Sequence, residues 1–345
     1  MIRVLVVDDS LTVRARIVEI LSGDPELEVV GEAADGRRAI ELCAQLRPDV
    51  VTLDMAMPDM TGVLATEHIM AHHPTPILIV SSSYNRGELF DTYAALAAGA
   101  VDVLDKPGVD EVGWESRLRD AVRLVSRIKV ITHPRARLGM RARPRPGAGS
   151  EAQPRELAAI ALGASTGGPG ALAAVLSGIV PRCAVPILAI LHIDAPFAAA
   201  FAEWLAGQCG HPVRLAQGGE RLADNAGNVL VAPSGRHMVV QHGRLRLVDD
   251  PPRNHCRPSI DVLFESLATE LGVRVAAALL TGMGRDGARG LLAIRGAGGV
   301  TFAQDEATST VYGMPREAVA IGAAERVLPI GELGGAIEQL LRGKP

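Results

Sequence analysis

The chain has 345 residues, of which 48% are hydrophobic and 21% charged, and a formal net charge of −4. That length points to two domains rather than one core, and the weak negative charge excludes a global pull towards nucleic acid. The four cysteines, Cys43, Cys183, Cys209 and Cys256, are scattered without any C-x-x-C, which indicates neither a disulfide framework nor a zinc site.

The opening MIRVLVVDDS puts acids at positions 8 and 9, where a signal peptide needs its apolar stretch. The most apolar window, Ala184–Leu191, is far too short to span a bilayer. A cytoplasmic location without direct membrane insertion is expected. From Met1 to about Ile131, apolar runs at Val4–Val7, Val50–Leu53, Ile77–Val80 and Val101–Leu104 alternate with helix-like segments, and a further strand is expected near Glu28–Gly31. Five strands with intervening helices predict a parallel sheet covered on both faces. Ligands of such sheets bind outside the carboxyl ends of the strands. Asp8 and Asp9 follow the first strand, Asp54 ends the third, Ser81 ends the fourth and Lys106 follows the fifth. Three carboxylates converging at one edge repel unless a cation sits among them, and magnesium, an oxygen-seeking ion, fits. Asp54 is then placed to accept a phosphoryl group as an acyl phosphate, with Ser81 hydrogen-bonding and Lys106 neutralising its oxygens.

This half resembles the receiver domain of two-component response regulators. The resemblance implies a flavodoxin-like domain over 1–131, Asp54 as phosphoacceptor, magnesium on Asp8, Asp9 and Asp54, and Ser81 and Lys106 as switch residues. It also implies a sensor histidine kinase as phosphodonor. One departure is Val103, where many receivers carry an aromatic switch residue. The following segment, 132–156, is rich in Arg, Pro and Gly and carries Arg135, Arg137, Arg141, Arg143 and Arg145 before its first acid, Glu151. It reads as a solvated, semi-extended linker.

From Leu157 the alternation resumes. LAAIALGASTGGPG is an apolar run that ends in a glycine turn, followed by a helical segment, Ala171–Ile179. Gly163 to Gly167 fit G-x-S-x-G, in which flanking glycines turn the chain sharply from strand to helix and expose the Ser165 hydroxyl near helix amides. Pro169 where a Walker A loop needs Lys, and the absence of G-x-G-x-x-G, exclude both phosphate-loop readings. A structural glycine turn with an incidental serine remains open on this pattern alone. Val185–Leu191 ends at His192; Val229–Ala232, Met238–Val240, Arg244–Val248, Arg274–Leu280 and Gly299–Ala303 read as further strands, the second and third of these as a hairpin. An α/β domain with a mostly parallel sheet is expected over 157–345. Ser165, His192 and Asp286 all stand at the carboxyl ends of apolar strands, and a serine nucleophile needs both a base and a carboxylate to orient it. Histidines 211, 237, 242 and 255 are rival bases, but only His192 closes a fully apolar strand.

The motifs GASTGG, NHCRPSIDVLF, LTGMGRDGA, GGVTFAQDEATSTVYGMPREA and RVLPI, in that order, resemble the catalytic domain of the chemotaxis protein-glutamate methylesterase (CheB-type) family. The resemblance implies Ser165 as nucleophile, His192 as base, Asp286 as its orienting partner, and Thr166 and Met283 lining the site. It implies no cofactor in this domain, demethylation and deamidation of chemoreceptor side chains, and a receiver that covers the site until phosphorylated. The family usually reads His-Met-Pro after the strand; here His192 is followed by Ile193, Asp194, Ala195 and Pro196.

Overall fold

The structure is a computed structural model that describes residues 1–82, 86–106, 113–128, 130, 156–181, 183–193 and 195–342. The chain divides into two compact units, Met1–Arg141 and Ala142–Pro345. The predicted linker lies almost wholly outside the described residues, as do Asp194 and the carboxyl-terminal Pro345.

The first unit runs β1 (Ile2–Val7), α1 (Leu11–Ser22), β2 (Leu27–Ala33), α2 (Gly36–Leu46), β3 (Val50–Leu53), α3 (Gly62–His72), β4 (Ile77–Ser81), α4 (Arg86–Ala98), β5 (Asp102–Asp105) and α5 (Trp114–Ser126). Its sheet has the order β2-β1-β3-β4-β5, and every pairing is parallel. All residues of β3 and β4 are buried, as continuous apolar strands must be when helices cover both faces. Ser10, Asp35 and Thr61 cap α1, α2 and α3 by accepting from backbone amides of the first turn. The chain order reverses across β1 and β3, which opens a crevice at their carboxyl ends.

The second unit runs β6 (Ala159–Ala164), α6 (Gly168–Ser177), β7 (Ile187–Leu191), α7 (Ala195–Cys209), β8 (Val213–Leu215), β9 (Val229–Val231), β10 (His237–Gln241), β11 (Arg244–Val248), α8 (Ile260–Leu271), β12 (Val275–Leu279), α9 (Ala288–Gly296), β13 (Val300–Gln304), α10 (Met314–Ala320), β14 (Arg326–Leu328) and α11 (Ile330–Arg342). Its main sheet has seven strands in the order β14-β13-β12-β6-β7-β9-β8, parallel throughout. The antiparallel pair expected from the sequence is a separate two-stranded sheet, β10 with β11. Its loop is His242-Gly243, both at positive φ (52° and 68°), the two-residue geometry that matches strand twist. The core packs Ile260, Leu263, Phe264 and Leu267 of α8 against strands β6 and β12. No helix among the described residues is long and apolar enough to cross a membrane.

Candidate active site

At the carboxyl edge of the first unit, Asp8 is fully buried and Asp54 is 2% exposed, while Asp9 is exposed. Each of the three offers a carboxylate oxygen within 4.8 Å of the others. Lys106 Nζ lies 2.9 Å from both Asp8 Oδ2 and Asp54 Oδ2. Burial pushes the Asp54 carboxyl up to about 6, with Lys106 pulling it down and Asp8 pushing it up. Lys106 donates its backbone N–H to Ser81 O at 2.9 Å, so the two residues sit side by side on neighbouring strand ends. The Ser81 hydroxyl is buried and makes no hydrogen bond among the described residues. Val103, at the departed position, is half-buried.

Strand register builds the site of the second unit. β6 pairs with β7 so that Ala164 faces Leu191; the next residues, Ser165 and His192, therefore leave the sheet edge side by side. β12 flanks β6 on the other side, and the loop that follows it carries Asp286. The turn after Ser165 is tight: Gly168 N–H donates to Ser165 O at 2.7 Å, and Gly167, at φ 75°, caps α6 in a conformation that favours glycine. Gly282 lets the strand β12 loop lie against the serine, since a Cβ there would meet Ser165 Cβ at 2.6 Å. Thr281 pins the same turn, with its hydroxyl donating to Thr166 O at 3.0 Å. Met283 is 45% exposed at the rim.

His192 Nε2 lies 3.0 Å from Asp286 Oδ2. A carboxylate only accepts, so the proton of this bond is on Nε2, and in the neutral ring the lone pair is on Nδ1. Cys256 Sγ stands 3.7 Å from that Nδ1, and the Ser165 hydroxyl makes no hydrogen bond with the imidazole. The structure thus joins two of the three expected residues directly and places the third beside them. Burial opposes the imidazolium, but the hydrogen bonds to Asp286 and Cys256 outweigh it and push His192 up to about 9. Of the rival bases, His237 is fully buried and binds Ser259 N–H and Pro251 O, while His211 is buried against Leu176 O and Ile179 O.

Asp286 is 2% exposed and heavily bonded. Its Oδ1 accepts from Ser259 Oγ at 2.7 Å and Asn254 Nδ2 at 3.0 Å; its Oδ2 accepts from Ile260 N–H at 2.7 Å. The carboxylate therefore sits on the positive amino end of α8. Burial would raise its pKa, but the bonds from His192, Ser259 and Asn254 outweigh this and hold it below the usual carboxylate range. Asn254 also donates to the buried Asp261 at 2.8 Å, which fixes its amide between the two acids. These supports escape a linear reading. Ser259 precedes an apolar run and so signals a helix cap, but nothing local says that its hydroxyl also reaches Asp286.

Ser259→Ala removes both the α8 cap and one bond to a buried carboxylate. It is expected to lower unfolding free energy by about 1–3 kcal/mol. Urea unfolding measures this, and an unchanged midpoint would contradict it.

Two family models match the chain: the response regulator receiver domain over residues 4–114 and CheB methylesterase over residues 160–337. A protein-glutamate methylesterase/protein-glutamine glutaminase of Anaeromyxobacter dehalogenans is 46% identical over 343 residues, covering 99% of this chain and 97% of that protein. Another, from Geobacter metallireducens, is 41% identical over 351 residues and covers 100% of both. The CheB methylesterase catalytic domain of Thermotoga maritima superposes with a TM-score of 0.50 at 29% identity, covering 54% of this chain and 98% of that one. With its receiver half and its hydrolase half matched in the same order, the chain belongs to the CheB methylesterase family.

Proposed function

We propose that the protein hydrolyses glutamate methyl esters on the cytoplasmic part of methyl-accepting chemoreceptors, releases methanol, and deamidates receptor glutamines, with Asp54 as the phosphorylation site that controls the rate. The observation that carries this reading is the His192–Asp286 bond at 3.0 Å, set beside Ser165 by the β6–β7 register.

In this reading His192 Nδ1 takes the Ser165 proton as Oγ attacks the ester carbonyl. The amino end of α6, which begins three residues after Ser165, supplies positive potential for the developing oxyanion. The protonated imidazole gives its proton to the leaving methoxide, and methanol departs from a glutamyl-enzyme. Water, deprotonated by the same nitrogen, attacks next; the bond to Ser165 breaks and the glutamate carboxylate is released. With a glutamine substrate the same proton goes to nitrogen, and ammonia leaves. Asp286 keeps the Nε2–H tautomer throughout and stabilises the imidazolium. Thr166 and the exposed Met283 line the approach.

The receiver edge fits magnesium. Three carboxylates and one ammonium leave a net double negative charge at a largely buried edge, and the donors are all oxygen. Asp8, Asp9 and Asp54 would hold the ion, which neutralises phosphoryl oxygens when bound. The chain's own part is to present Asp54 as a carboxylate nucleophile, and Lys106 and Ser81 as partners for the phosphoryl group. A sensor histidine kinase in the cytoplasm is the phosphodonor in this reading.

The test is incubation of the full chain with membranes carrying methyl-esterified or glutamine-bearing chemoreceptors. Methanol and ammonia, respectively, are the expected products. Neither product from several receptors would overturn the proposal.

A further inference from the structure

We propose that His192 and Cys256 are the protein ligands of a site for zinc or a similar borderline-soft divalent cation, and that an ion there shuts the esterase off. The inference rests on the reading of His192 as the base. The scattered cysteines gave no sign of such a site, because its two ligands are 64 residues apart in the chain.

The geometry comes first. Zinc bonds thiolate sulfur at about 2.3 Å and imidazole nitrogen at about 2.0–2.1 Å, so tetrahedral angles separate the two donors by roughly 3.6 Å. Cys256 Sγ and His192 Nδ1 are 3.7 Å apart. Asp286 lies close by without being a ligand: one donor atom from each of the three residues falls within 4.8 Å of the others. Its bond to Nε2 puts it behind the imidazole, the carboxylate–histidine–metal arrangement that fixes ring orientation and strengthens the nitrogen donor. Ser259, Asn254 and the Ile260 amide hold that carboxylate in turn. The donor chemistry follows: sulfur and nitrogen select a zinc-like ion over magnesium, whose preference is oxygen. Both ligands are only partly buried, which leaves them accessible to an ion from solvent. Water fills the remaining coordination positions. On binding, the Cys256 thiol proton and the proton that the imidazolium carries on Nδ1 are released to solvent, and Nδ1, the nitrogen that must receive the Ser165 proton, is occupied by metal.

The other cysteines provide an internal control. Cys43, Cys183 and Cys209 are all buried, and burial pushes each thiol up. The histidine pair His68 and His72, which stacks at 4.3 Å on α3, offers nitrogen only. A thiolate-specific signal therefore reports Cys256.

The experiment titrates the full chain with cobalt, as a spectroscopic substitute for zinc, in excess magnesium so that the carboxylate edge of the receiver is occupied. The expected result is a thiolate-to-cobalt charge-transfer band that saturates near one equivalent and is displaced by zinc. Cys256→Ser and His192→Gln should each abolish the band, and Ser165→Ala should keep it. In parallel, zinc should lower methanol release to below about a tenth, reversibly with a chelator, and Cys256→Ser should be insensitive relative to its own zinc-free rate. Absence of the band, its survival in Cys256→Ser, or full activity with zinc bound would overturn the inference. A Cys256-dependent band in a chain that releases no methanol from any receptor would instead refute the esterase reading and leave the metal site standing.

Discussion

Ser165→Ala is expected to lower methanol release by at least about 10⁴-fold with an unchanged unfolding midpoint. The substitution removes one oxygen from a half-buried turn and leaves the His192–Asp286 bond and the α6 turn in place. A loss of that size therefore reports chemistry rather than folding. Bound water attacking directly, with His192 as base, would leave far more activity than this. A tenfold loss or less in a folded variant would show that the serine is an incidental member of the glycine turn.

Asp286→Asn is the second large effect. The amide can still accept one bond from Ser259 or Ile260, but it no longer offers a carboxylate to Nε2–H. The imidazole then loses its enforced tautomer, and kcat is expected to fall by about 10⁴-fold. The pH profile carries a separate signature. The base must be neutral, so activity rises with pH as His192 loses its proton, and in the wild type kcat/KM should rise through about pH 9. Without Asp286 the imidazolium loses its largest support, so the inflection of the residual activity should move to lower pH. A purely structural role for Asp286 would lower the rate without moving the inflection. A profile with the same inflection in both proteins would contradict the assignment.

Much of this architecture is legible in the chain because parallel sheets buried on both faces leave unbroken apolar runs. β1, β3, β4, β6, β7 and β12 all announce themselves that way, and the polar residue that ends each run falls at the carboxyl edge where such sheets bind ligands. Asp54, Ser165 and His192 could be picked out on that ground. The edge strands β8 and β14 could not, since each is only three residues long, includes an arginine and is never fully buried, so neither forms an unbroken apolar run. The hairpin was visible, but its separation from the main sheet was not, because pairing partners are set by packing rather than by local pattern. The supports of the site were the least visible. Ser259 and Asn254 reach Asp286 across 27 and 32 residues, and Cys256 reaches His192 across 64. A linear motif records that these residues occur, not which atoms they meet. Asn254 and His255, both at positive φ (52° and 65°), belong to the turn that makes those contacts, a conformation that sequence only weakly specifies.

The most direct test of a phosphorylation-controlled esterase is the rate of methanol release by the full chain with and without acetyl phosphate and magnesium, run beside Asp54→Asn. The predicted result is a severalfold rise in the wild type and none in Asp54→Asn, which keeps its basal rate. Equal rates with and without the phosphodonor, under conditions where Asp54 is shown to be phosphorylated, would contradict the coupling of the two halves.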